Sequence, residues 1–110
     1  IDPLSIAAVA TNASANGVTV TSMEGDVLDE QPDADVILAG DVFYSRAMAD
    51  RVLPFLRRAA GRGSLVLVGD PGRAYLPDTG LTARASYDVP VSAELESVAV
   101  RHTTVWQVTE

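Results

Sequence analysis

The 110-residue chain has no cysteine and a single histidine, His102, and these two scarcities remove several kinds of chemistry. Without cysteine these residues can form no disulfide, no thiolate nucleophile and no zinc site with sulfur ligands. One histidine also excludes a metal cluster built from several imidazoles. We therefore expect no metal site, and a reaction that needs neither a cysteine nucleophile nor a zinc centre.

Long apolar runs and an excess of positive charge are missing as well. No apolar run approaches the ~20 residues of a membrane span, and the chain does not open on a basic segment followed by an apolar one. Eight Lys and Arg residues face fifteen Asp and Glu residues, which gives a net charge of −7. Such a field repels nucleic-acid phosphates and anionic lipid. We expect no nucleic-acid or membrane binding, a cationic partner, and a cytoplasmic location.

Apolar residues make up 47% of the chain, enough for the core of one domain. Asp2 and Pro3 suit the N-cap and first position of a helix, and Asn16-Gly17 suits its end. Later segments alternate between runs typical of strands and runs typical of helices. The predicted elements are a helix from Pro3 to about Asn16, strands at 18–24, 36–39 and 65–68, a helix from about Ser45 to 60, and strands at 81–91 and 97–109.

This order of elements predicts an open, mostly parallel α/β sheet. The short apolar runs at 36–39 and 65–68 are typical of parallel strands buried on both faces, with the helix between them as a crossover. Pro54 is expected to kink or split that helix. The period of two in the last two strands predicts a terminal antiparallel pair, with Trp106 and Tyr87 more often core residues than recognition residues in such a pattern.

Acidic residues follow three of the predicted strands: Asp26, Asp41 and Asp70. In an open parallel sheet, ligands bind beyond the carboxyl ends of the strands, so these three carboxylates can meet at one edge and hold a cationic or nucleoside ligand. The simpler alternative is that aspartate is common at turns. The string Gly69–Arg73 has glycines but no Lys-Ser/Thr continuation, so it is not a P-loop.

Two other interpretations carry less weight. His102 shares a strand face with valines and Trp106, which favours a structural or sheet-edge histidine over a catalytic one. Paired carboxylates are also the residue type of glycoside hydrolases, but that chemistry leaves the aromatic pair Phe43 and Tyr44 unexplained.

Four strings in the sequence resemble a known family. They are IDPLSIAAVATNASANGV at 1–18, DVILAGDVFYSRAMADRVLPFL at 35–56, LVLVGDPGRAYLP at 65–77, and TTVWQV at 103–108. The first is similar to the segment that follows the second strand of class I S-adenosylmethionine-dependent methyltransferases. The combination, which covers nearly the whole chain, resembles the protein-lysine methyltransferases that modify the beta subunit of electron transfer flavoprotein.

The resemblance implies a Rossmann-like sheet of seven strands, S-adenosylmethionine as methyl donor and a lysine side chain as acceptor. It also implies that residues 1–110 are the C-terminal two-thirds of a single methyltransferase domain, because the family's glycine-rich first motif would precede Ile1. Carried over by position, the implied residues are Asp2, Asp26, Val27 and Asp41 at the cofactor, Asp41 and Tyr44 in catalysis, and Phe43, Tyr44, Asp70 and Arg73 at the substrate.

We therefore expect a protein N-lysine methyltransferase whose substrate has an accessible lysine, and the resemblance implies an electron transfer flavoprotein subunit as that substrate. Methyl transfer to an amine is an in-line displacement that depends on alignment in a dry site, so it needs no protein nucleophile. Two alternatives stay open at this point. One is a methyltransferase for a small nicotinamide-like amine, and the other is a noncatalytic fragment of the same fold.

Overall fold

A computed structural model describes residues 3–21, 28–30, 33–90 and 100–109 of the chain. Asp2, Asp26 and Val27 lie outside these residues. The described elements are helix α1 (Pro3–Ala15), strand β1 (Val36–Gly40), helix α2 (Arg46–Gly61), and strands β2 (Leu65–Asp70), β3 (Leu81–Pro90) and β4 (Val100–Val108).

The four strands form one mixed sheet in the order β1-β2-β4-β3. Strands β1 and β2 are parallel, with Gly40 opposite Gly69, and β4 is antiparallel to both of its neighbours. The α/β class and the terminal antiparallel pair are thus confirmed. The described sheet is mixed rather than mostly parallel, because β1 and β2 form its one parallel pair.

The core lies between α2 and one face of the sheet. Ser45 begins α2 as its N-cap, and its side chain accepts a hydrogen bond from the Met48 N–H at 3.2 Å. The helix then presents one apolar face to β2, as its periodicity predicts. The fully or almost fully buried core side chains are Phe43, Ala49, Val52, Leu56, Ala59, Val66, Val68 and Val108.

The prediction that β1 and β2 are buried on both faces is wrong for the described residues. Val66 and Val68 are fully buried against α2, but Val36 is 51% exposed and Leu38 is 73% exposed. Successive side chains of a strand point to opposite faces, so α2 can cover only one set of them. The second face of the described sheet is therefore apolar in composition, but none of the described elements covers it.

Three smaller expectations also need correction. Pro54 does not split α2, because it lies on the exposed side of the helix, where water can bind the carbonyl that loses its N–H partner. Residues 18–21 of the strand predicted at 18–24 form no strand, and 22–24 lie outside the described residues. Tyr87 is not a core residue, since it is 58% exposed on the edge strand β3.

Candidate functional site at the carboxyl ends of β1 and β2

Two of the three predicted strand-end aspartates meet at one edge of the sheet. Asp41 directly follows β1, and Asp70 is the last residue of β2. Since Gly40 pairs with Gly69 in parallel register, the two aspartates occupy the next level of the ladder. The Asp41 N–H donates to the Gly69 carbonyl at 2.9 Å, which ties the end of one strand to the end of the other.

Asp70 is buried, with 1% of its surface exposed, and it closes the turn that follows β2. Its Oδ2 accepts hydrogen bonds from the backbone N–H groups of Gly72 at 2.7 Å and Arg73 at 2.8 Å. Pro71 has no N–H to satisfy, and Gly72 has a φ of +98°, which glycine adopts without steric cost. The string Asp-Pro-Gly-Arg therefore folds into a tight turn organised by its own first carboxylate.

The other oxygen of the Asp70 carboxylate is unusual. Oδ1 is buried and has no hydrogen-bond partner within the described part of the chain. A buried acceptor without a donor costs about 1 to 3 kcal/mol, so such an atom marks a place where stability is not the sole requirement on the residue. It lies at the same strand end as Asp41, beside the turn that carries Arg73.

Arg73 links the turn to Asp41 through two parallel hydrogen bonds. Its Nε donates to Oδ1 of Asp41 and its Nη2 donates to Oδ2, both at 2.8 Å. This two-point geometry fixes the plane of the carboxylate as well as its position. The Arg73 hydrogen bond lowers the pKa of Asp41 below its usual value, and the same contact raises the pKa of Arg73. Both groups are therefore charged at neutral pH.

Asp41 also adopts an uncommon backbone conformation. Its φ of +49° lies in the left-handed region, the one positive φ among the described residues other than glycine. Aspartate and asparagine enter this region more readily than other L residues do. The carboxylate remains half-exposed, at 46%, while its backbone is held by Gly69 and its side chain by Arg73. Fixed position and an open face together suit a group that contacts a ligand.

The two aromatic residues after Asp41 differ sharply from each other. Phe43 is fully buried in the core, so this position offers no surface to a substrate, and the side chain instead packs beneath the site. Tyr44 is 55% exposed immediately before the N-cap of α2. The predicted contact between Phe43 and a substrate thus has no support in this arrangement, whereas Tyr44 remains accessible to one.

The remaining predicted positions cannot be placed in the site. Asp2, Asp26 and Val27 lie outside the described residues, so the convergence of Asp26 with Asp41 and Asp70 stays a prediction. His102 contacts Asp88 across β3 and β4 at 3.1 Å, with both side chains exposed. Over the residues with described positions, no group of three or more metal-ligating side chains comes together, and no helix is long and apolar enough to cross a membrane.

Sequence reasoning missed two features of this edge. It identified Arg73 as a substrate residue but not as the partner of Asp41, thirty-two positions earlier in the chain. The signal available in the sequence was that Arg73 follows Pro71 by two residues in the turn after one strand, while Asp41 follows the neighbouring parallel strand. It also missed an open cleft of about 400 Å³ between the first half of α2 and residues 74–78, which no spacing rule would have revealed.

Comparison with known proteins gives a consistent result. The chain is 31% identical over 114 residues to the electron transfer flavoprotein beta subunit lysine methyltransferase of Danio rerio, covering 97% of this chain and 44% of that protein. It is 31% identical over 113 residues to the protein of that name from Xenopus laevis and 26% identical to that from Rattus norvegicus. These matches confirm the predicted resemblance.

These matches cover a much larger share of this chain than of its relatives. Each covers at least 96% of this chain, but the chain spans less than half the length of the curated relatives it matches. No family model matches the sequence. No solved structure matches it either.

Proposed function

We propose that the protein is an S-adenosylmethionine-dependent N-methyltransferase that modifies lysine side chains of a protein substrate. Its resemblance to lysine methyltransferases runs over nearly the whole chain, and the substrate named for those relatives is the beta subunit of electron transfer flavoprotein. We extend that substrate to this protein as part of the proposal. The observation that carries it is the fixed, half-exposed carboxylate of Asp41 at the carboxyl end of a parallel strand.

The finer fold assignment belongs to the same proposal. Two parallel strands that end in paired acids, joined by a crossover helix and followed by an antiparallel pair, are compatible with the Rossmann-like sheet of class I methyltransferases. On this assignment residues 1–110 form the C-terminal two-thirds of one catalytic domain.

The charges at the strand ends fit a cationic methyl donor. Asp41, Asp70 and Arg73 have a summed formal charge of −1. Besides the hydrogen bond from Arg73, the positive charge of Arg101 also lowers the pKa of Asp41. When bound, S-adenosylmethionine supplies an electrophilic methyl group on a positively charged sulfur. Asp41 would hold this cofactor together with Asp2, Asp26 and Val27, while the buried Oδ1 of Asp70 offers an additional acceptor at the same edge. The side chains named here offer carboxylate oxygens as hydrogen-bond acceptors, and no cysteine thiolate is present to compete with lysine for the methyl group.

The chain's own residues contribute position rather than covalent chemistry. Arg73 holds the Asp41 carboxylate in one plane, and Asp41 can attract and orient the lysine side chain at the open face. The amine must lose a proton to attack, so the positive Arg73 beside Asp41 limits how strongly this site favours the charged amine. The reaction forms a carbon–nitrogen bond to lysine, breaks the donor's carbon–sulfur bond, and releases one proton to water.

Tyr44 is the accessible aromatic residue of the site. Its exposed ring can face the lysine nitrogen or the donor's positive sulfur, and such a contact is worth about 0.5 to 2 kcal/mol. Phe43 supports this position from below, because its buried ring anchors the segment between β1 and α2 in the core. The pair thus divides into one packing residue and one residue open to ligand.

The test uses the full-length protein, tritiated S-adenosylmethionine and a lysate of the source organism. We expect label in a protein band that comigrates with the electron transfer flavoprotein beta subunit. Label confined to small solutes would favour the alternative of a small-amine methyltransferase. Absence of label, together with absence of S-adenosylhomocysteine binding by calorimetry, would contradict both and leave a noncatalytic protein of this fold.

A further inference from the structure

The cleft between α2 and the segment after the turn lies next to the candidate site but takes no part in it. Its lining includes Arg46, Asp50, Leu53 and Pro54 from the first half of α2, and Tyr75 and Asp78 from the facing segment. Arg46 follows Tyr44 by two residues, and Tyr75 follows Arg73 by two. The cleft therefore opens from the same edge of the sheet as the Asp41 site.

We propose that this cleft binds the segment of the protein substrate that flanks the acceptor lysine, and that Asp50 and Asp78 select a basic segment there. The inference rests on the proposed methyltransferase function and names the substrate chemistry that the function leaves open. An extended or turned peptide entering the cleft would place its lysine toward Asp41, because the cleft and the carboxylate share one edge.

The charges of the lining favour a basic peptide. Asp50 and Asp78 against Arg46 leave a net charge of −1 at the rim, within a chain whose total is −7. In the part of the chain that the structure describes, neither aspartate side chain has an ion-pair or hydrogen-bond partner. A cationic side chain in the cleft would therefore gain a partner without displacing an existing one.

The apolar part of the lining suits a peptide backbone with short side chains. Leu53 and Pro54 form one wall, and Tyr75, which is 44% exposed, lies on the other side. A tyrosine gives contact area together with a hydrogen-bonding group, as is common at protein–protein contacts. The cleft is partly open to solvent, so a peptide segment can reach its lining from the surface.

The experiment compares two double variants of the full-length enzyme. Asp50→Asn with Asp78→Asn removes both rim charges, while Asp33→Asn with Asp35→Asn removes two exposed charges from the opposite end of the strands, before β1. Each variant is assayed for methylation of the electron transfer flavoprotein beta subunit, for equilibrium binding of that subunit without methyl donor, and for binding of S-adenosylhomocysteine.

We expect the cleft variant to raise KM and the dissociation constant of the beta subunit by about 5-fold or more, which corresponds to two partly exposed ion pairs. Its kcat and its affinity for S-adenosylhomocysteine should stay within about 2-fold of wild type, as should every value for the strand-start variant. Raising the salt concentration should remove most of the difference, because exposed charges are screened.

Each of the other outcomes either supports or overturns the inference that the cleft binds the substrate. An unchanged KM and dissociation constant in the cleft variant, with wild-type turnover intact, would overturn this inference while leaving the methyltransferase proposal standing. Substrate binding that depends on the cleft, without any methyl transfer by wild type, would support the inference and contradict the proposed activity. An equal loss in both double variants would show a general charge effect and overturn it.

Discussion

The two strand-end aspartates are one residue type at equivalent places in a parallel pair, yet they do different work. Asp70 is buried, and its carboxylate bonds to backbone N–H groups within three residues of itself. Asp41 is half-exposed, and its carboxylate bonds to a side chain thirty-two residues away. The first acid builds the turn that carries Arg73, and Arg73 in turn orients the second acid.

The two acids differ in burial because Asp41 follows β1, at the edge of the described sheet, whereas Asp70 ends β2, which lies between β1 and β4. The residues that follow each acid then set its role. After Asp70 come Pro71 and Gly72, whose shapes fold the chain back onto the carboxylate. After Asp41 come Val42 and Phe43, and Phe43 inserts into the core and leaves the Asp41 side chain at the surface. Stability should therefore depend on Asp70, and activity on Asp41.

The largest expected effect is on stability at Asp70. Asp70→Ala leaves the N–H groups of Gly72 and Arg73 without their acceptor, which should lower the free energy of unfolding by about 2 to 4 kcal/mol. Asp70→Asn keeps one acceptor oxygen and should lose about half as much. Urea unfolding followed by circular dichroism measures both. A loss below about 0.5 kcal/mol for the alanine variant would show that the turn holds without its carboxylate.

The next effect is on activity at Asp41. Asp41→Ala should reduce kcat/KM for methyl transfer by about 100-fold, because an aligned reaction loses about that much when a positioning group is removed. Asp41→Asn should reduce it comparably while keeping the left-handed backbone that asparagine tolerates. Both variants should keep the wild-type circular dichroism spectrum. Turnover within about 3-fold of wild type in the asparagine variant would reject the role assigned to the carboxylate.

A smaller effect is expected at Arg73, which connects the two acids. Arg73→Lys keeps the charge but replaces two parallel hydrogen bonds with a single point contact, so kcat should fall by about 10-fold with little change in the urea midpoint. Arg73→Gln tests the charge separately, since it can still bond to Asp41. If the lysine variant matches wild type while the glutamine variant does not, charge rather than carboxylate orientation is the contribution of Arg73.

The smallest effect is the pH dependence of stability that Asp41 contributes. The hydrogen bond from Arg73 lowers the pKa of Asp41 in the folded state, so this contribution is present above the unfolded pKa of about 3.9 and is lost as the pH falls through the lower folded value. Wild type should therefore have a slightly higher urea midpoint than Asp41→Asn at neutral pH. The two midpoints should converge in strong acid. A difference that grows on acidification would contradict this sign.

The sequence predicted those parts of the molecule that depend on local pattern. The N-cap Ser45, the spacing of Val52 and Leu56, and the apolar runs of β1 and β2 gave α2 and the parallel pair. The placement of two acids at one edge followed from parallel topology, since carboxyl ends of parallel strands share an edge.

What the sequence did not predict depends on contacts between distant residues. The Arg73–Asp41 pair joins positions that no periodicity relates, and the cleft beside α2 exists because residues 74–78 return across that helix. The exposure of Leu38 was not predicted for a similar reason. An apolar strand indicates that its faces are usually covered, but it does not indicate which element covers each face. Asp26 was placed by resemblance and strand order, and it lies outside the described residues.

Comparing how donor and product bind would test most directly whether Asp41 faces a positively charged sulfur. S-adenosylmethionine carries a charge on that atom and S-adenosylhomocysteine does not, so titration calorimetry on wild type and Asp41→Asn isolates the charge. We predict that Asp41→Asn weakens binding of the charged donor by about 5-fold or more and leaves binding of the neutral product within about 2-fold. Equal changes for the two ligands, or none for either, would contradict the account.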